Sequence, residues 1–159
     1  MTVWDRPGAA LKPETAQMLI FAWGGVHSAT VLLSDGDPPA AVRRAYAVMR
    51  YAAYALVWEE HGLRFRVRAS HHAAFWDHFV RTGRVEPELH RWLLEAYAQS
   101  GRNGESPVPE DLDAAAVERT IERARVFLCE AHRCLGLRSP FPPEARQSSV
   151  TGDLPGREE

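Results

Sequence analysis

The stretch Pro38–Gly62, PPAAVRRAYAVMRYAAYALVWEEHG, constrains this chain more than any other. It opens on a proline pair, tolerated in a first helical turn, and closes on a glycine suited to a left-handed stop. Between them Val42, Ala45, Tyr46, Met49, Ala53, Leu56 and Val57 recur at helical spacing. The opposite side is hardly more polar, since it carries Ala47, Tyr51, Tyr54, Ala55 and Trp58, and Tyr51–Trp58 contains no charge. A helix apolar nearly all round belongs inside a bundle or in a subunit interface. At about 1.5 Å per residue it would run roughly 37 Å, enough to cross a small domain.

Partners for such a helix lie on both sides of it. Pro13–Ser34 reads as a first helix with Ala16, Leu19, Ile20, Trp23, Val26, Ala29, Leu32 and Leu33 inward. Gly24 and Gly25 fall in its middle, at about 1 kcal/mol each relative to alanine, which points to close approach of a neighbouring helix. Asp35-Gly36-Asp37 is a short turn, so the first two helices should be antiparallel neighbours. Leu63–Ala69 alternates Arg64, Arg66 and Arg68 with apolar residues and reads as an extended loop, because a lone strand has no partner. Ser70 is the expected N-cap of a helix over His71–Arg81, anchored by Phe75, Trp76, Phe79 and Val80. A fourth helix starts at Glu86-Pro87 with Leu89, Leu93, Leu94 and Tyr97 inward. After a Gly/Pro-rich loop from Gly101 to Asp111, Val117, Ile121, Ala124, Leu128, Ala131 and Leu135 form one stripe ending at Gly136. The expected fold is all-α, an antiparallel up-and-down bundle of four to five helices over residues 13–136, with an irregular segment before it and a disordered tail over 137–159.

The 159 residues, 45% hydrophobic and 25% charged, suit one globular domain. A net charge of -2 gives no global attraction to nucleic acid, so any such contact must be local. Of 19 basic residues only Lys12 is a lysine, which leaves a surface rich in planar, anion-binding guanidinium groups. Cys129 and Cys134 make neither a disulfide framework nor a zinc site, and a reducing cytoplasm is the expected compartment. The apolar run Ala16–Leu33 is interrupted by Gln17, His27, Ser28 and Thr30 and reads as a buried helix, not a membrane span.

The order of these signals resembles the HEPN domain family, in the branch whose second helix reads S-R-A-Y-Y-A-x-F-H-A-A. Here that segment is Arg43-Arg44-Ala45-Tyr46-Ala47-Val48-Met49-Arg50-Tyr51-Ala52-Ala53, followed by Ser70-His71, Phe79-Val80-Arg81-Thr82-Gly83 and Glu88-Leu89 in the branch's order. The resemblance covers about Ala16 to Gly136 and implies a helical bundle, often dimeric. It further implies ribonuclease or toxin activity and partnership with a small nucleotidyltransferase, as in toxin–antitoxin pairs. The family's signature is an Arg followed by a polar residue, with a His four to six positions beyond the Arg. Arg102-Asn103 occupy the corresponding place, but Gly104-Glu105-Ser106-Pro107-Val108-Pro109 follow, without the His.

Metal-independent RNA cleavage needs a base near the 2′-hydroxyl and a cation on the phosphate. Two other Arg-to-His spacings meet that need loosely, Arg66 to His71 and Arg84 to His90, the first at the start of a helix. Arg43, Arg50 and Tyr54 lie on one stripe of the second helix and could track a phosphate backbone and stack a base; the alternative is that the two arginines pair with carboxylates of a neighbouring helix. His71, His72 and His78 are spaced wrongly for one metal ion, and no cofactor motif is present. The expectation is an interaction or regulatory module with an RNA-related role and a degenerate catalytic motif. The alternatives are an active ribonuclease using Arg102 or Arg66, or a protein-binding scaffold. A two-fold homodimer is expected, with Tyr51, Tyr54 or Trp58 near the contact, and the Gly101–Asp111 loop is expected to be poorly fixed.

Overall fold

The computed structural model describes residues 10–63 and 68–141. Its regular elements are α1 (Pro13–Ser34), α2 (Pro38–His61), α3 (Arg68–Phe75) continuing into a π-helical turn (Trp76–Val80), α4 (Pro87–Gln99) and α5 (Ala114–Cys134), with no strand among the described residues. This is the all-α bundle expected from the periodicity. Prolines set three of the starts, at Pro13, Pro38 and Pro87, where the missing N–H is not needed. The side chains of Asp37 and Asp113 accept hydrogen bonds from Ala40 N and Ala116 N and so cap α2 and α5. Gly62 ends α2 at φ 62°, and Gly136 follows α5 at φ 72°. Ser70 lies inside α3 and is not its cap, because the helix starts at Arg68.

α2 is the central strut and touches α1, α3, α4 and α5. Val42, Ala45, Tyr46, Met49, Ala53, Leu56 and Val57 are all buried along it. Phe75, Phe79, Leu93, Phe127 and Leu128 close the core from the other helices, each contributing about 1.5–3 kcal/mol by burial. The π turn, closed by Arg81 N donating to Trp76 O at 2.8 Å, lets Phe75 and Phe79 both face inward with ring centroids 6.0 Å apart. Trp76, expected as an anchor, is 39% exposed.

The expected phase of α1 needs correction. Ile20 and Trp23 are each half exposed, and the buried seam is Thr15, Leu19, Ala22, Gly25, Val26 and Ala29. Small residues define that seam because α2 comes close: a Cβ on Gly25 would sit 2.7 Å from Val48 Cγ2. The start of α1 is clasped to the end of α2, where Lys12 N and Thr15 Oγ1 both donate to Glu59 and Lys12 Nζ donates to Trp58 O at 2.9 Å.

The bundle also runs past Gly136, the boundary expected for it. Leu137 is buried, His132 Nδ1 donates to Arg138 O at 3.0 Å, and Trp23 Nε1 donates to Pro140 O at 3.2 Å. Phe141 packs against the core, with the Arg125 guanidinium 4.6 Å from its ring centre. The remainder of the expected tail, residues 142–159, lies outside the described residues, as do residues 1–9.

Candidate nucleic-acid interface

Residues 100–106 form the most unusual piece of backbone. Gly101, Arg102, Asn103 and Gly104 all have positive φ, at 64°, 55°, 60° and 93°, so the chain makes one left-handed helical turn. Left-handed geometry costs roughly 1–2 kcal/mol for each residue that carries a Cβ, less for Asn. The surroundings over-determine it. Ser100 is fully buried, donates from Oγ to Tyr97 O at 2.7 Å and accepts there from Asn103 N at 2.8 Å. Ser106 N donates to Gly101 O at 2.8 Å, and a Cβ on Gly101 would lie 2.0 Å from Ser106 O, so glycine is required there. The first half of the loop expected to be loose, Gly101–Ser106, is therefore held by these bonds.

That turn presents Arg102 to solvent. Its guanidinium donates to the Tyr97 hydroxyl, which, with Glu105 nearby, holds the group above its ordinary pKa. Arg43 Nε on α2 donates to Ser100 O at 3.4 Å, which brings Arg43 beside the Arg102 turn. Two to three turns further along α2, Arg50 lies over the Tyr51 ring at 4.7 Å and Tyr54 packs on His71 with ring centroids 4.7 Å apart. Neither Arg43 nor Arg50 makes an ion pair among the described residues. Arg102, Arg43 and Arg50 thus stand along one edge of the bundle, formed by the turn and α2.

Behind this edge lies a buried aromatic layer. Tyr46 Oη and His72 Nε2 are hydrogen-bonded at 3.0 Å, and the Tyr97 ring lies 5.3 Å from both the Tyr46 and the His72 ring. His71 continues the layer 5.7 Å from His72. It is 2% exposed, and burial, with His72 and Arg50 adding like charge, lowers its pKa from 6.5 to about 3. A ring so placed stays neutral near pH 7, is a weak base and is closed to a substrate hydroxyl.

The structure therefore gathers Arg102, Asn103, Arg43, Arg50, Tyr54 and His71 into one region, the last of them behind the surface. Arg66 falls outside the described residues. Arg84 and His90 are structural. Arg84 donates twice to Glu60, and His90 lies half-buried against Trp76, its ring bonded to the His72 backbone. Tyr97, Tyr46, His72 and Ser100 were missed as members of the site. The available signal was Tyr46 and Tyr97 on apolar stripes, since a buried tyrosine hydroxyl requires a partner. Among the described residues no group of three His, Cys, Asp or Glu comes together to hold a metal ion. Comparison with protein-family models, curated proteins and solved structures finds no match to this chain.

Proposed function

We propose that this protein is a HEPN-like regulatory module that binds RNA along the Arg102–Arg43–Arg50 edge and does not cut it. Such a module suits a toxin–antitoxin system or a nucleotidyltransferase partner. The observation that carries this reading is the burial of His71, 2% exposed with a pKa lowered to about 3. An arginine can hold a phosphate and stabilise developing charge, but its pKa above about 12 disqualifies it as a base at neutral pH. Cleavage needs a second group positioned at the attacked hydroxyl, and the family's His is missing after Arg102. Binding has simpler requirements, which the exposed Arg102, the half-buried Arg43 and Arg50 and a half-buried Tyr54 ring meet.

The test is fluorescence anisotropy with a labelled single-stranded RNA across a salt series, alongside a cleavage assay in EDTA. Wild type should bind weakly, with log K falling linearly in log salt; Arg102→Ala and Arg43→Ala should each weaken binding and shallow that slope by about 0.7. RNA should remain intact throughout. Cleavage abolished by Arg102→Ala or His71→Ala would overturn the reading in favour of an active ribonuclease, and salt-independent or absent RNA binding would leave a protein scaffold.

A further inference from the structure

The π-helical turn that sends Phe75 and Phe79 into the core leaves Trp76 outside it, 39% exposed. Single π turns of this kind occur frequently at functional sites. A lone exposed aromatic residue is ordinary. Trp76 differs because it closes a continuous line of contacts that begins at Arg102. The Arg102 guanidinium is bonded to the Tyr97 hydroxyl, and the Tyr97 ring lies 5.3 Å from the His72 ring. The His72 backbone is bonded in turn to the His90 ring, which meets Trp76 at 5.0 Å, edge to face. His90, Leu94 and Tyr97 recur at i, i+4 and i+7 and so share one side of α4, the side turned to α3. No fixed charge stands in that row, and burial lowers the His90 pKa, so its ring is neutral near pH 7.

From this we infer that Trp76 is a nucleobase-stacking residue, and that single-stranded RNA held at Arg102 also lies across the α3–α4 side of the bundle. This rests on the RNA-binding reading and deepens it: the Arg102–Arg43–Arg50 edge holds phosphates, and the α3–α4 side takes unpaired bases. The spacing fits. From His90 to Tyr97 the helix rises about 10 Å, roughly three nucleotides at a stacked rise of ~3.4 Å. The Trp76 ring offers the large flat π-face that stacking needs, and His90 braces it. His90 is itself fixed, by its bond to the His72 backbone and by lying nearly parallel to the buried Phe75 ring, 6.5 Å away. A ring held in place beforehand loses little freedom on binding. Leu94, 42% exposed, supplies apolar floor between Trp76 and the arginine. Stacking on a π-face accepts any base, so this side selects for single strands and not for sequence. A duplex keeps its bases stacked on one another and offers none to Trp76. A protein partner is the other cover for an exposed tryptophan; continuity with Arg102 favours RNA.

Fluorescence anisotropy of the full chain with labelled oligoadenylate, and with an RNA duplex of equal length, tests it. Trp76→Ala should weaken oligoadenylate binding at least about fivefold and leave duplex binding as it was. The salt slope for oligoadenylate should not change, because no phosphate contact is lost; Arg102→Ala, by contrast, shallows it. Oligoadenylate should quench tryptophan emission in wild type, and Trp76→Phe should remove most of that quenching while keeping most of the affinity. Retained duplex binding and far-UV helical signal show that each variant is folded. Oligoadenylate affinity unchanged in Trp76→Ala, with the Arg102→Ala loss still present, would overturn the inference, leave RNA binding standing and assign Trp76 to a protein contact. Equal losses for oligoadenylate and duplex would also overturn it, since stacking acts on unpaired bases alone. Failure of wild type to bind either RNA would overturn the RNA-binding reading and this inference together.

Discussion

Arg102 occupies a left-handed conformation, φ 55° and ψ 44°, that the fold could relieve with a glycine. Strain retained at an exposed, cationic position is the pattern expected where function outweighs stability. Arg102→Gly should therefore raise stability by about 1 kcal/mol, or roughly 3 °C in thermal midpoint, while weakening RNA binding. A lower midpoint would mean that the bond to Tyr97 outweighs the strain. Gly101→Ala should do the reverse and cost at least ~2 kcal/mol, since its Cβ would overlap the Ser106 carbonyl. Little of this was legible in the sequence. Arg102 and Asn103 could be located from the family pattern, but nothing in Gly-Arg-Asn-Gly announces four successive positive φ angles. The turn is imposed by tertiary bonds to Ser100 and Ser106. His71 yields a further residue-scale expectation. Its folded pKa of about 3 lies below the ordinary 6.5, so between those values the unfolded chain binds the extra proton. Stability is then fully present above about pH 6.5 and is lost as pH falls toward 3, by roughly 1.4 kcal/mol per unit. Urea unfolding between pH 7 and 4.5 should show that slope, reduced by about one proton in His71→Phe and not abolished. His132, which burial also lowers, supplies a part of it.

Helix ends could be read from the chain because they are local chemistry: proline at N1, aspartate at the cap, glycine at the stop. Phase is a different matter. α5 carries charges at Glu118, Glu122 and Arg125 off its stripe, so its inward side, Val117 to Leu135, was correctly legible. α1 has no charge over twenty residues, and its periodicity could not say which apolar residues face in. The deciding quantity was the closeness of α2, which selects Ala22, Gly25 and Ala29 over the larger Ile20 and Trp23. Adjacent glycines thereby acquire opposite meanings, and that contrast can be measured. Gly25→Ala should destabilise by about 1–3 kcal/mol through its clash with Val48, as overpacking does. Gly24→Ala should leave chemical stability unchanged or raise it by up to about 1 kcal/mol, since the new methyl meets only open space inside the subunit. Equal losses in the two variants would show that both glycines are packing positions.

For the molecule as a whole, the segment after α5 changes where the domain ends. With Gly136 as a stop and Pro140 shortly after, composition suggested that the chain beyond α5 leaves the fold, and deletion from Ser139 onward should then be silent. Instead the chain turns at Gly136 and runs back along α1: Leu137 is buried, Pro140 is buried and bonded to Trp23, and Phe141 rests under Arg125. These contacts add to the direct packing of α1 against α5, the two ends of the bundle in sequence. Comparing a chain that stops after Phe141 with one that stops after Arg138 isolates Ser139, Pro140 and Phe141. Removing them unpairs the Trp23 indole N–H, exposes the face of Val26 and strips a half-buried aromatic ring, so the shorter form should lose about 2 kcal/mol and at least ~4 °C of thermal midpoint. Trp23 emission should also shift to the red, since its ring loses its cover on that side. Coincident midpoints for the two forms would return the boundary to Gly136 and leave Trp23 held by α1 alone.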